Sequence, residues 1–297
     1  RDSSTSRGLG DVYKRQVNNS LTFSTGTQKH QTYFSAATTN ARNILPNSGY
    51  NRYNFTFRDV TKFLKDKLTV DLSASYILQD NKNMIAAGKY FNPLPALYLF
   101  PRGDDFDNVR LYQRWDESRN LYTQAWDYGS GDMSFQNPYW IMNKMINQTK
   151  KRRYMLSANL KYDVTDWLDV TGRVKVDNAD MDITEKRYAG TDTNFAGEKG
   201  MYSIIKRNDR QIYADAIANI DLTFAGDYHL SANVGASLKD VRMDFMGWGG
   251  DLRKIPNFFS ITNISTTNYK EREDGSHIQS QSIFANVEPV SYTHLRA

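Results

Sequence analysis

The residues that could do chemistry are sparse in this chain. Its histidines are His30, His229, His277 and His294, it has no cysteine, and no histidine sits in a His-Glu-x-x-His, nucleophile-elbow or phosphate-loop pattern. The glycine clusters Gly247–Gly250 (GWGG) and Tyr128–Asp132 (YGSGD) read as loop glycines rather than phosphate cradles. Bond-making chemistry has no constellation to work with, and no enzyme is expected.

Binding is the chemistry that remains. Asp104, Asp105 and Asp107, followed by Asn108, offer hard oxygen ligands of the kind Ca²⁺ takes. The run lacks the glycine and terminal glutamate spacing of a calcium-binding loop, and a solvated acidic loop is the better explanation of it. Trp115, Trp126, Tyr128, Tyr139 and Trp140 fall within one stretch and carry flat apolar faces that stack on sugars or pack against a partner protein. Burial inside a self-packed long loop is the competing reading of these rings. The basic run Lys150–Arg153 suggests nucleic acid only when read alone; at the outer end of a strand it meets lipopolysaccharide phosphates or water. No cofactor is implied.

The elements that must position these residues are strands. From Leu68 to Gln79, Leu68, Val70, Leu72, Ala74, Tyr76 and Leu78 fall on one face, while Thr69, Asp71, Ser73, Ser75 and Gln79 fall on the other. The same period of two runs through Tyr154–Tyr162, Leu168–Asp177, Ile212–Phe224 and Tyr228–Leu238, with weaker strands at Asn18–Thr25, Thr32–Thr38 and Arg52–Asp59. Tight links at Gly26–Gln31, Leu64–Lys67, Asp163–Trp167 and Ala225–Asp227 alternate with long ones at Thr39–Asn51, Asp80–Lys150, Met181–Asp209 and Asp240–His277.

A soluble sandwich would also alternate, but three features favour a membrane. The strands run about 9 to 13 residues, the length a tilted strand needs to cross a bilayer, where soluble strands more often run about 5 to 6. Short turns at one end and long loops at the other are the organisation of outer-membrane barrels, and Phe63, Tyr162, Trp167, Phe224 and Tyr228 gather beside the tight turns as an interfacial girdle would. The polar face carries Asp71, Lys161, Asp169, Arg173, Lys175, Asp177, Asp215, Asp221 and Lys239, which need water rather than a sealed core. The chain is 39% hydrophobic and 24% charged, with a mean hydropathy of −0.66. A barrel keeps such an average because only alternate residues of each strand face lipid. No stretch approaches the roughly 18 apolar residues of a spanning helix.

Three of the five net positive charges lie in Arg1–Gln16 and Pro289–Ala297, so the body is close to neutral and a nucleic-acid partner is not expected. Both end segments depart from the rhythm beside them and resemble adapter read-through, so 1–16 and 289–297 are set apart from a partial barrel over 17–288.

Several phrases in order carry a family resemblance. Ser20–Arg58 (SLTFSTGTQKHQTYFSAATTNARNILPNSGYNRYNFTFR), Leu94–Asp107 (LPALYLFPRGDDFD), Gln136–Lys144 (QNPYWIMNK), Tyr162–Asn178 (YDVTDWLDVTGRVKVDN) and Phe224–Asp240 (FAGDYHLSANVGASLKD) resemble the SusC/RagA-like TonB-linked outer-membrane proteins of Bacteroidota. The resemblance covers essentially everything from Asn18 to Val287. It implies import of glycans or peptides across the cell outer membrane, with a SusD-like surface lipoprotein as lid and the TonB system as energy source. No plug domain or TonB box is recognisable, so contact with TonB would pass through a missing N-terminal part. The expected fold is therefore all-β, a partial transmembrane antiparallel meander β-barrel forming an open curved sheet of about nine strands. A passive porin-like barrel and a soluble secreted β-sheet module that binds glycans are the alternatives. Asp80–Lys150 is expected to be an ordered extracellular loop, too aromatic for disorder.

Overall fold

A computed structural model of the chain describes residues 13–86, 88–128, 135–224, 228–267 and 270–291. In order, its elements are β1 (Tyr13–Gly26), β2 (His30–Asn43), β3 (Gly49–Phe63), β4 (Leu68–Lys82), α1 (Pro93–Tyr98), α2 (Asp107–Arg110), β5 (Gln113–Asp116) and β6 (Leu121–Gln124). There follow α3 (Pro138–Lys144), β7 (Met145–Thr165), β8 (Leu168–Tyr188), β9 (Gly200–Phe224), β10 (Tyr228–Asp251) and β11 (Lys270–Ser291), with a short 3-10 turn at Ile261–Asn263. None of the described helices is long and apolar enough to cross a membrane.

Nine strands form one antiparallel sheet in the order β1-β2-β3-β4-β7-β8-β9-β10-β11, and the sheet does not close. Every strand pairs with the next long strand of the sequence, the expected outcome when tight turns join consecutive strands. The β5–β6 hairpin stands apart inside the long β4–β7 connection.

Register fixes two faces. Leu72, Ala158, Val174, Ala214 and Leu238 are direct partners across five strands on one face. On the other, Asp71, Asn159, Arg173, Asp215 and Ser237 form the neighbouring row. A cavity of about 1080 Å³ is lined from Ser24 on β1 to Arg173 and Lys175 on β8, so the sheet curves with its polar face concave. The apolar face is convex and open: Leu72, Leu160 and Val174 are 45%, 48% and 48% exposed, where two packed sheets would seal them. The β4 stripe from Leu68 to Leu78, tilted about 45°, spans about 25 Å, the height of a barrel's lipid-facing band. Tyr76 and its partner Tyr154 bound it at one end and Tyr162 and Trp167 at the other.

On the concave face, charge is balanced across strands. Arg58 holds Asp71 through Nε at 2.9 Å and Nη2 at 2.7 Å, Arg153 holds Asp177, and Arg173 holds Asp215 with Nη2 at 2.6 Å from Oδ2. Arg173 and Asp215 are direct register partners, while Arg58–Asp71 and Arg153–Asp177 reach diagonally to the neighbouring strand.

The strands outrun the sequence expectation. β7 and β8 have 21 residues, β9 has 25 and β10 has 24, against the 9 to 13 read from alternation. Beyond the apolar band both faces meet water, so outward positions become Asp80, Lys150, Arg152, Asp180, Asp182, Arg210 and Arg242. The alternation disappears there while the backbone ladder continues. The stretch read as a loop at Gly247–Gly250 is accordingly strand, within β10, and the loops shrink to 83–144, 189–199 and 252–269. β1 and β11 also run into the end segments, from Tyr13 and as far as Ser291.

Candidate functional site

The buried core of the molecule lies in the loops at one end of the sheet. Two asparagine–proline steps start the helices of the long loop. Asn92 caps α1, its side chain accepting from Leu94 N at 3.0 Å, and Asn137 caps α3, accepting from Tyr139 N at 2.8 Å; in both a proline opens the first turn, where its missing N–H costs nothing. Asn137 does more than cap. Its Nδ2 donates to Val109 O at 2.9 Å and Ala125 O at 3.0 Å, and its backbone N donates to Gln124 Oε1 at 2.6 Å, so one buried amide joins α2, the end of β6 and α3. Gln136, Asn137, Pro138, Trp140 and Val109 are the largest fully buried side chains.

Two further loops lock onto this core. Phe195 of the β8–β9 loop packs on Tyr90 and Phe91 at 5.2 and 5.1 Å. Gly190 has φ +93°, and a Cβ there would lie 2.6 Å from Thr123 Cα, so only glycine allows β6 this close. Asn257 of the β10–β11 loop accepts from Ala189 N at 2.7 Å and donates its own N to Lys199 O at 3.0 Å, while Phe259 meets Tyr188 edge-on at 4.9 Å. The described residues of the long loop pack with the other two loops as one cap.

Within the cap the singled-out aromatics separate. Trp140 is 1% exposed and its indole Nε1 donates to Thr191 Oγ1 at 3.0 Å, which makes it floor rather than surface. Trp115 is 49% exposed on β5 and meets Tyr122 edge-on at 5.1 Å. Trp126 and Tyr128 pack together at 5.0 Å, Tyr128 continues onto Phe100 at 4.9 Å and Phe100 onto Phe106 at 5.4 Å. The Trp126 indole nitrogen is buried without a hydrogen-bond partner. Tyr139 is half-buried on α3 and its carbonyl accepts from Asn143 Nδ2 at 2.7 Å. Burial and the neighbouring Asp104 push the Tyr128 phenol above its ordinary pKa. Of the YGSGD stretch, Gly129–Asp132 lie outside the described residues.

The acidic run does not form a cation site. Asp105 turns back to accept from Asp107 N at 2.9 Å, Asp107 pairs with Arg110 at 3.3 Å, and no cluster of three acidic or metal-ligating side chains occurs among the described residues.

Sequence reading missed two sets of residues. Tyr98, Leu99 and Leu111 are 85%, 64% and 70% exposed in the long loop, and Met84, Met142, Met145 and Arg187 meet around a pocket. The asparagine–proline steps were the available signal, since they mark where helices begin and hence which residues α1 and α3 present.

An open antiparallel arc with a charged concave face, an apolar convex face and a loop cap at one end has the form of part of a β-barrel wall. Solved transport proteins share it. The structure of the RagAB peptide transporter matches with a TM-score of 0.71 at 14% identity, covering 95% of this chain and 31% of that one. The RagAB peptide importer in its open-open state matches at 0.68 and 12% identity, over 93% and 30% of the two chains. The closed form of the ferric-catecholate import receptor Fiu from E. coli K12 matches at 0.50 and 8% identity, over 93% and 36%. The chain spans about a third of the length of the transport proteins it matches. At these identities the likeness is one of fold. No family model and no curated protein matches the sequence.

Proposed function

We propose that the chain is part of the import barrel of a TonB-dependent transporter of the SusC/RagA kind in the outer membrane, taking up peptides or glycans together with a SusD-like surface lipoprotein. The observation that carries this reading is the pairing of an exposed lipid-compatible stripe with a self-packed loop cap at one end of the same sheet. A passive pore needs the first and has no need of the second. Residues 17–288 are taken as barrel, with 1–16 and 289–297 as read-through. In this reading Trp115, Trp126, Tyr128 and Tyr139 face the substrate or the lid, and Trp140 supports them from beneath. Tyr98, Leu99 and Leu111 add exposed apolar surface of the sort a protein partner covers.

In the intact parent, Trp115→Ala or Trp126→Ala is expected to weaken substrate uptake or lid association while leaving barrel insertion unchanged. Removing TonB should abolish uptake. Normal import by both variants would reduce the cap to a structural cover, and uptake that survives loss of TonB would favour the passive pore.

A further inference from the structure

A second concavity opens where the cap meets the strands. It has a volume of about 200 Å³ and is walled by Met84, Ile85, Phe91, Ile141, Met142 and Met145, with Asn83 and the Glu185–Arg187 pair at its edge. Its floor is buried, with Ile141, Met142 and Met145 at 6%, 7% and 8% exposure, whereas Met84 and Ile85 on the rim are 40% and 42% exposed. Met145 and Arg187 are partners in register and share the strand parity of Arg153 and Asp177, which puts the pocket at the loop end of the polar, concave face.

Most of its polar groups are already occupied. Asn83 donates N to Asn147 O at 2.7 Å and Nδ2 to Met142 O at 3.1 Å, and its Oδ1 accepts from Asn147 N at 2.9 Å. Arg187 donates Nε to Glu185 at 3.0 Å and Nη1 to Phe195 O at 2.6 Å, with its Nη2 also on Glu185 and its plane 4.6 Å above the Phe91 ring. A hydroxyl-rich ligand entering here would give up its bonds to water and find few in return. An alkyl or aryl group loses nothing and meets three flexible thioethers that adapt to its shape. The volume lies below the roughly 300–1,000 Å³ of pockets that hold whole small molecules, and suits one side chain of a longer ligand.

We propose that this pocket binds a single apolar side chain of a peptide lying along the concave face. Its role in transport rests on the import reading above, but binding itself does not. The test is methyl NMR with ¹³C-labelled methionine, on the complete barrel in nanodiscs and on this chain in detergent micelles. The probes are Gly-Leu-Leu-Gly, tetraglycine and maltotetraose. The expected result is movement of the Met84, Met142 and Met145 methyls with the leucine peptide alone. Ile85→Trp, which fills the mouth from an exposed position, should weaken that response at least tenfold, and Ile255→Trp, at a 56% exposed position outside the pocket, should not change it. Silent methyls with the leucine peptide, equal movement with tetraglycine, or movement with maltotetraose instead would overturn the proposal. No energy source enters the assay, so a negative result leaves the transport reading intact, and a barrel that binds the peptide yet fails to import it counts against that reading alone.

Discussion

The indole Nε1 of Trp140 donates to Thr191 Oγ1 at 3.0 Å, and this one bond ties the helix of the longest loop to the loop between β8 and β9. Both residues are buried, at 1% and 4% exposure, so neither group has water as an alternative partner. Thr191→Val should strand the N–H and cost about 1–3 kcal/mol of local stability. Trp140→Ala, which also empties the floor of the cap, should cost about 3–5 kcal/mol. Hydrogen exchange of residues 189–199 reads both effects. Trp115→Ala, at a half-exposed position, should change that exchange by no more than about 0.5 kcal/mol. Equal protection in all three variants would mean that the loops are ordered independently.

On the concave face, the Asp215 side chain is fully buried beneath Arg173, which is 38% exposed and grips it at 2.6 Å. Removing only the cation leaves a buried carboxylate with the Tyr213 hydroxyl and the nearby Lys175 as its remaining partners. Arg173→Ala is expected to destabilise by about 3 kcal/mol, toward the lower end for a broken buried pair because the face is wet. Asp215→Ala added to it should restore part of that loss. A double-mutant cycle in denaturant, with no coupling between the two positions, would contradict the paired geometry.

Val174 is 48% exposed, in register with Ala158 and Ala214 near the middle of the apolar stripe. In the complete barrel, Val174→Arg should lower the free energy of folding into vesicles by about 2–4 kcal/mol. Lys175→Ala, one residue along but on the concave side, should be nearly neutral. If the two substitutions cost the same, the faces have been assigned wrongly.

The β5–β6 turn carries an acid-sensitive cap. Asp116 Oδ1 accepts from Ser118 Oγ at 2.6 Å, Ser118 N at 3.0 Å and Arg119 N at 3.2 Å, and these bonds hold its carboxyl below the usual aspartate range. Because the folded pKa is depressed, the stabilisation is present above the ordinary aspartate value and is lost as pH falls through the folded one. The Ser118 and Arg119 amides should therefore stay protected at neutral pH and exchange faster only in acid. Asp116→Asn should remove most of that pH dependence.

The sheet was legible in the sequence wherever one face meets lipid and the other water. Leu68–Leu78 and Leu168–Val176 alternate because their surroundings alternate, and the tight turn expected at 64–67 falls between β3 and β4, while the link expected at 225–227 lies outside the described residues. Legibility ended at the edge of the band. At Arg152, Asp180 and Asn208, which are register partners on the outward face, polar residues occupy both sides and no periodicity marks a strand that continues through hydrogen bonds alone. The cap was half legible. Its aromatic content announced order, but whether Trp115 or Trp140 would be the exposed ring depended on contacts with Thr191 and Tyr122, which no spacing rule encodes.

The central claim is that the convex stripe faces lipid and the concave face faces water. This chain has no cysteine, so in a complete barrel cleared of any cysteine elsewhere single substitutions report this without background. In the complete barrel reconstituted in bilayers, cysteines placed in turn at 158, 160, 173, 174, 175 and 176 would carry a nitroxide, and its collisions with oxygen and with a water-soluble nickel chelate would be measured. Positions 158, 160, 174 and 176 should favour oxygen, and 173 and 175 should favour nickel. Labels at 158, 160, 174 and 176 that neither reagent reaches, or that nickel reaches as readily as at 173 and 175, would contradict a membrane-spanning barrel wall.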